Sequence, residues 1–322
     1  MIGPAIAPLR GVNADAKMDE ALRDDVRGRM SKLRKRLKKA HRGKSKGIHD
    51  ARTELRRIRS ELDTMGHTAF DERVTSELCE RLHDTERALA KARDADVLLC
   101  NLESYIEKHK GAATNGLDEV CARLDKRRKT GLKEARAALG GRSRAAIVRA
   151  VKRATKPKHV VIAQPKNPAK AAPELVRHFT HREVWRRYDA LRAFDARLPA
   201  DGETLHELRS VCRELRYTLE TFEGASPDLA PIARDLHERQ DEIGELHDHE
   251  LAIELLERWR AKGKIAPSRG LDAYLERRAK ARDELRRMAE SRWLSLLGAK
   301  FRLRLSRALE PRWESDMHPI AA

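Results

Sequence analysis

Residues 48–62, IHDARTELRRIRSEL, carry two interleaved rows at helical spacing. Ala51, Leu55, Ile58 and Leu62 fall at offsets 0, 4, 7 and 11, whereas His49, Arg52, Arg56 and Arg59 fall at 0, 3, 7 and 10. With 3.6 residues per turn each set lies along one face, the two roughly 100° apart around the axis. A strand would scatter both sets over its two sides. The segment is therefore a helix with an apolar seam and a cationic row beside it. The row repels itself, and the helix alone does not offset that repulsion.

The pattern recurs 157 residues later, in LHELRSVCRELRYTL (205–219). His206, Arg209, Arg213 and Arg216 repeat the cationic spacing, and Leu208, Cys212, Leu215 and Leu219 repeat the apolar one. Downstream, KARDADVLLCNLE (91–103) aligns with ELHDHELAIELLE (245–257), and the order and separation of the blocks are nearly the same in both halves. An internal duplication accounts for this. Helical halves related in this way associate face to face about a pseudo-twofold axis. Two basic rows would then line one cleft, where a single sign of charge focuses potential on a counter-ion.

Helical periodicity predicts segments at 15–42, 46–64, 68–92, 93–110, 115–139 and 143–153, then 173–198, 203–224, 227–245, 246–263, 268–289 and 291–309. The stretch TKPKHVVIAQPKNPAKAAP (155–173) has four prolines and reads as a connector; its HVVIA core alone cannot make a sheet. The expected organisation is a loose N-terminus (1–14), one all-α domain (15–312) of two halves (15–154 and 174–312), and a tail (313–322).

Charge points to the partner. The chain has 322 residues and a net charge of +18, and residues 26–49 hold eleven Lys or Arg and no acid. Such an excess calls for a polyanion. In the first helix Arg29, Lys32, Arg36 and Lys39 repeat the 0, 3, 7, 10 spacing beside an apolar row of Val26, Met30, Leu33 and Leu37. Four separated cysteines without a CxxC pair read as small buried hydrophobes. The start of the chain lacks signal-peptide character, and no apolar run approaches a bilayer span, so a soluble cytoplasmic protein is expected.

These residues resemble the CHAD family, the conserved-histidine α-helical domains. LHELRSVCRELRYTLETF (205–222) and IHDARTELRRIRSEL (48–62) are similar to its histidine-led signature, although RSEL replaces the bulkier apolar finish in the first half. ARDADVLL (92–99) is similar to its RDxDV block and ERQDEIGELHDHELAIELL (238–256) to its LQDxLGELHD block. The resemblance implies two pseudo-symmetric four-helix bundles around a central basic pore or cleft that binds inorganic polyphosphate. It carries over to His49, Arg52, Arg56 and Arg59, and to His206, Arg209, Arg213 and Arg216. Some members add a β-stranded triphosphate-tunnel domain with an ExExK signature; this chain has neither the motif nor the strand pattern, so no such domain is implied.

The chemistry suits that ligand. Arginine offers a planar, permanently charged fork to phosphate oxygens, and histidine adds a donor whose charge a polyanion would favour. Binding should therefore strengthen as pH falls. The competing structural role for Arg52, Arg56, Arg209 and Arg213 is interhelical pairing with acids. Arg93, Asp94, His247 and Asp248 are weaker candidates, with Asp94 and Asp248 expected to cap helices or orient arginines; Arg182 and Arg186 are weaker still. Glu54 and Glu61 share the first-half helix and leave its outer face open to question.

Three His-Asp dipeptides (His49-Asp50, His83-Asp84, His247-Asp248) raise a metal-dependent phosphohydrolase, but the spacing does not converge on a metal, and no Gly-rich phosphate loop is present. No cofactor, metal or catalytic residue is expected. Nucleic-acid backbone binding is the principal alternative; scarce aromatics and the lack of a reading motif weigh against it. The expected function is non-catalytic binding of polyphosphate, with other phosphate or sulfate anions able to occupy the site, no membrane association, and recruitment to polyphosphate granules as a further expectation.

Overall fold

Ten α-helices form among the residues that the computed structural model describes, which are 14–69, 71–109, 111–154, 175–197 and 202–310. They are α1 (Met18–His41), α2 (Ser45–Ala69), α3 (Glu72–Lys108), α4 (Leu117–Ala138), α5 (Gly141–Ala154), α6 (Val176–Arg192), α7 (Gly202–Phe222), α8 (Leu229–Ala261), α9 (Arg269–Leu297) and α10 (Ala299–Leu309). Among these residues the only extended pairing is an isolated bridge between Lys17 and Leu175. The fold is all-α. The proline-rich connector, the HVVIA stretch, the N-terminus through residue 13 and the C-terminal tail lie outside the described residues.

Two expected helix breaks are absent. The sequence predicts separate helices at 68–92 and 93–110, but α3 runs unbroken through the KARDAD block. The segment has no proline or glycine, and Leu89, Ala92, Ala95 and Leu99 keep its core seam going. Its true limits are chemical: the Asp71 carboxylate accepts from the Val74 N–H at 3.2 Å, and His109 ends the helix in an extended conformation. Likewise α8 runs through the expected break at 245–246, carrying Gly244 in its interior. The last break falls at Gly298, which caps α10, rather than near residue 290. Dense charge resembles a boundary in the sequence; ion pairing absorbs it in the fold.

The chain divides into two compact units, and these are not two consecutive halves. The larger comprises residues 18–172 and 241–289; the smaller comprises 1–17, 173–240 and 290–322. Helices α8 and α9 are long enough to contribute to both. In the larger unit, α3, α4, α8 and α9 bury one apolar cluster that includes Leu102, Leu124, Trp259, Leu271 and Tyr274. Helix α4 approaches α3 so closely at Gly131 that a Cβ there would sit 2.7 Å from the Ala92 backbone nitrogen. In the smaller unit, the Phe179 and Phe222 rings lie 6.0 Å apart and those of Tyr188 and Phe301 5.5 Å apart. The Tyr188 hydroxyl donates to the Leu296 carbonyl at 3.2 Å.

All three apolar rows read from the sequence are core. Ala51, Leu55, Ile58 and Leu62 are fully buried, as are Cys212, Leu215, Leu219, Val26 and Leu33; Leu208 and Leu37 are nearly so, and Met30 is 9% exposed. Each large side chain so buried contributes about 1.5–3 kcal/mol. Cys212 follows the expectation for cysteine, its thiol pushed up to about 12 by burial. Cys100 does not: it is exposed.

Candidate functional site

Helix α2 packs against α1 and α3. Because its apolar seam is sealed, the polar residues on either flank face those two neighbours. On the flank toward α3 lie His49, Arg52, Arg56 and Arg59. Arg52 Nη1 donates to Asp94 Oδ1 at 3.3 Å, and Arg59 Nη1 donates to Glu86 Oε2 at 2.9 Å. The same Glu86 carboxylate accepts from Arg56 Nε. The sequence row is thus neutralised in part by two acids of α3, and the repulsion within it is offset. The arginines still reach solvent: side-chain exposure is 14% for Arg52, 31% for Arg56 and 28% for Arg59.

Electrostatics follow from this crowding. Burial opposes the Glu86 carboxylate, but Arg56, Arg52 and Arg59 outweigh it and hold its pKa below the ordinary value. Burial, and then Arg56, lower the pKa of Arg52, while Asp94 and Glu86 act in the opposite sense. Arg52 Nε is buried with no hydrogen-bond partner among the described residues. His49 is pushed below its usual value by loss of solvent and by Arg93, with Arg52 and Arg56 adding to the effect against Asp50. The imidazole is therefore predominantly neutral at neutral pH in the free protein. Arg93 belongs to this cluster through its effect on His49, and it also reaches Asp96 Oδ2 at 3.5 Å.

The α1 row divides. Arg29 is 3% exposed, held by Asp25 at 2.7 Å and by Glu61, with Glu54 at 3.9 Å. Burial alone would lower its pKa, but these acids raise it above the ordinary value. Glu61 is raised in turn, by burial, against the pull of Arg29. Arg29 is thus a core residue in this fold and not part of an accessible surface. Arg36 is half-buried, paired with Glu54 and donating to the Asp50 carbonyl at 3.4 Å. Lys32 and Lys39 are exposed. Glu54 and Glu61, ambiguous in the sequence, lie on the inner flank toward α1.

The α7 row, in the smaller unit, is built differently. Arg209 and Arg213 are half-buried, and Arg213 Nη2 donates to Ser210 Oγ at 3.3 Å. Arg216 is 6% exposed, bonded to Glu220 of its own helix at 2.7 Å and stacked over the Tyr217 ring. Arg216 matches Arg59 in spacing but not in accessibility. The side chain of His206 lies outside the described ones. On α6, Arg186 pairs with Glu183 at 2.7 Å, and Arg182 lies 4.8 Å from the Phe179 ring; both are about half exposed.

Of the two roles expected for Asp94 and Asp248, capping does not occur, because both lie in helix interiors, α3 and α8. Asp94 takes the other role and pairs with Arg52. His247 and Asp248 are half-buried on α8 in the larger unit. Sequence reasoning missed Glu86 and Asp96. Asp96 is 8% exposed, accepts from Ser45 Oγ and lies 3.8 Å from Arg128, so it ties α2 and α4 to α3. A signal for Glu86 existed: seven residues separate it from Arg93, nearly two helical turns, which puts both on one face.

Among the described residues there is no group of three or more His, Cys, Asp or Glu placed to hold a metal ion, and no helix long and apolar enough to cross a membrane.

The geometry can be set beside known proteins. The chain matches the crystal structure of the CHAD domain from the plant Ricinus communis with a TM-score of 0.61 at 21% identity, over 96% of each chain. It matches PptA from Streptomyces chartreusis with a TM-score of 0.64 at 19% identity, over 87% of this chain and 100% of that one. No curated protein matches it. The family profile of the CHAD domain matches residues 24–257, a span that takes in the α2 row, the α3 block, the α7 row and the α8 block. On that match the chain belongs to the CHAD family.

Proposed function

We propose that the protein binds inorganic polyphosphate without turning it over, through the exposed edge of the α2 row: His49, Arg52, Arg56 and Arg59, flanked by Arg93. The α7 residues Arg209 and Arg213, with His206, form a separate second candidate surface. The observation that carries the reading is the unequal pairing on α2, where three partly exposed arginines share two carboxylates, Glu86 and Asp94. Each guanidinium has five N–H donors, so most remain for an anion. Net charge of +18 supplies long-range attraction.

The row from His49 to Arg59 spans roughly 15 Å along α2, a length matched by a chain of phosphates rather than by one. Exposed Lys32 and Lys39 on α1 add to the basic surface. A cytoplasmic location with recruitment to polyphosphate granules belongs to the same proposal.

The test is calorimetric titration of long-chain polyphosphate into wild type, Arg52→Ala/Arg56→Ala and Arg209→Ala/Arg213→Ala, with circular dichroism to check folding. The expected result is a loss of affinity of about tenfold or more in the α2 variant, since charge-assisted bonds are lost. Unchanged affinity in both folded variants overturns the site. Displacement of bound polyphosphate by duplex DNA or RNA at comparable phosphate concentration overturns the ligand assignment, and phosphate release in the presence of Mg²⁺, Mn²⁺ or Zn²⁺ overturns the non-catalytic reading.

A further inference from the structure

We infer that Glu86 is an internal competitor for the α2 row, a tethered carboxylate that an incoming polyanion must displace; the inference rests on the polyphosphate-binding reading above. Glu86 takes the Nε edge of Arg56 and one Nη of Arg59, and its side chain is only 12% exposed. It lies against the last two arginines of the row and acts electrostatically on Arg52, so a phosphate chain that engages the whole row meets it. Against the cost of burial, Arg56, Arg52 and Arg59 hold its carboxyl below the ordinary value.

A carboxylate in that position does two things. It cancels part of the field that would draw an anion in, because a like charge a few ångströms from a bound phosphate is repulsive. It also keeps small monovalent anions off Arg56 and Arg59, because its tether gives it an effective concentration of millimolar or more. A phosphate chain differs from chloride in meeting His49, Arg52, Arg56 and Arg59 together. The row is thereby closed to background salt and opened by a ligand of high linear charge.

This predicts a measurement that a merely structural role would not move. Binding that releases condensed counter-ions gives an affinity that falls linearly with salt on a double-logarithmic plot. In wild type, Glu86 leaves the arginines in place of a chloride and contributes nothing to that slope. Without its charge, salt anions occupy Arg56 and Arg59, and the phosphate chain releases them.

The test uses the full chain with long-chain polyphosphate over a sodium chloride series, comparing wild type with Glu86→Gln. At low salt the variant is expected to bind about tenfold more tightly, from the loss of like-charge repulsion. Its salt slope should be steeper by about one counter-ion. Glu86→Met, also neutral but unable to hydrogen-bond, guards against a folding artefact and must show the same two changes. Weaker or unchanged affinity in the folded variants means that Glu86 braces the arginines instead, and overturns the inference, as does an unaltered salt slope. Those results leave the proposed function standing if wild type binds; failure of wild type and both variants to bind overturns the function and the inference together.

Discussion

His249 makes the protein's stability depend on pH in a way that can be calculated. It lies on α8, 7% exposed, with Nδ1 3.3 Å from Arg278 Nη1. Arg278 is fixed by two further bonds, donating from Nε and Nη2 to the Tyr274 hydroxyl at 2.9 and 2.7 Å. A guanidinium is only a donor, so Nδ1 must accept, and the ring is held in its neutral form with the proton on Nε2. Burial, and then Arg278, push the imidazole down from 6.5 to about 4.

The sign follows from linkage. The folded pKa is below the unfolded one, so the unfolded chain takes up the proton first as pH falls. The contribution is complete above the unfolded value and is lost as pH falls toward the folded one. A shift of this size from 6.5 to about 4 is worth about 3 kcal/mol at its limit, and about 2 kcal/mol of that is lost between about pH 7.5 and about pH 5. The assay is urea unfolding across that range for wild type and His249→Gln, whose amide oxygen can still accept from Arg278 but does not titrate. Carboxylates such as Glu86 also respond to pH, but they are common to both proteins and cancel in the difference. Wild type should lose about 2 kcal/mol more than the variant over this interval. Parallel profiles would refute the reasoning, because they would mean that His249 does not pair as a neutral acceptor with Arg278.

Other expected outcomes follow from the same contacts. Arg29→Ala strands Glu61 in the α1–α2 core and takes Asp25's partner away, while Glu54 keeps Arg36; denaturant titration should show a loss of about 3–5 kcal/mol. Leu55→Ala opens a cavity in a fully buried seam, and the same measurement should give about 2–5 kcal/mol. Gly131→Ala drives a methyl against the α3 backbone at Ala92, and should lower stability by about 1–3 kcal/mol. His49, depressed in the free protein by lost solvent and by Arg93, should titrate below its ordinary value by NMR and rise when polyphosphate is added; binding then takes up a proton and weakens with rising pH through that window.

The apolar rows are legible in the sequence because burial is periodic and local: a helix with residues at 0, 4, 7 and 11 has one way to hide them. Helix ends are harder to read. The KARDAD block in α3 and the ELHDHEL block in α8 look like surface breaks because charge is dense there. Their charges are met by residues distant in sequence, such as Arg52 on Asp94, and no local rule reports that. The division into units is hidden for a related reason. Helices of 33 and 29 residues serve both units, whereas a repeat in sequence suggests that the chain is cut where the repeat begins.

Arg59 and Arg216 show how far a duplicated pattern carries. Each is the fourth member of its row, beside the same apolar seam. Arg59 leaves its helix to meet Glu86 of α3 and keeps 28% of its side chain in solvent. Arg216 meets Glu220 one turn along its own helix and is buried with it. The difference lies in the acid, since Glu220 occupies the i+4 position where the first half has Asp63 on an exposed face. A buried pair within one helix resists an incoming anion more than a half-exposed pair between helices, because removing its partner leaves a charge stranded away from water. Repetition of a cationic spacing therefore marks where a helix can present charge, and the position of the nearest acid decides whether a ligand can reach it. On that criterion Arg59 is the more accessible of the two fourth members, and Arg216 is closed.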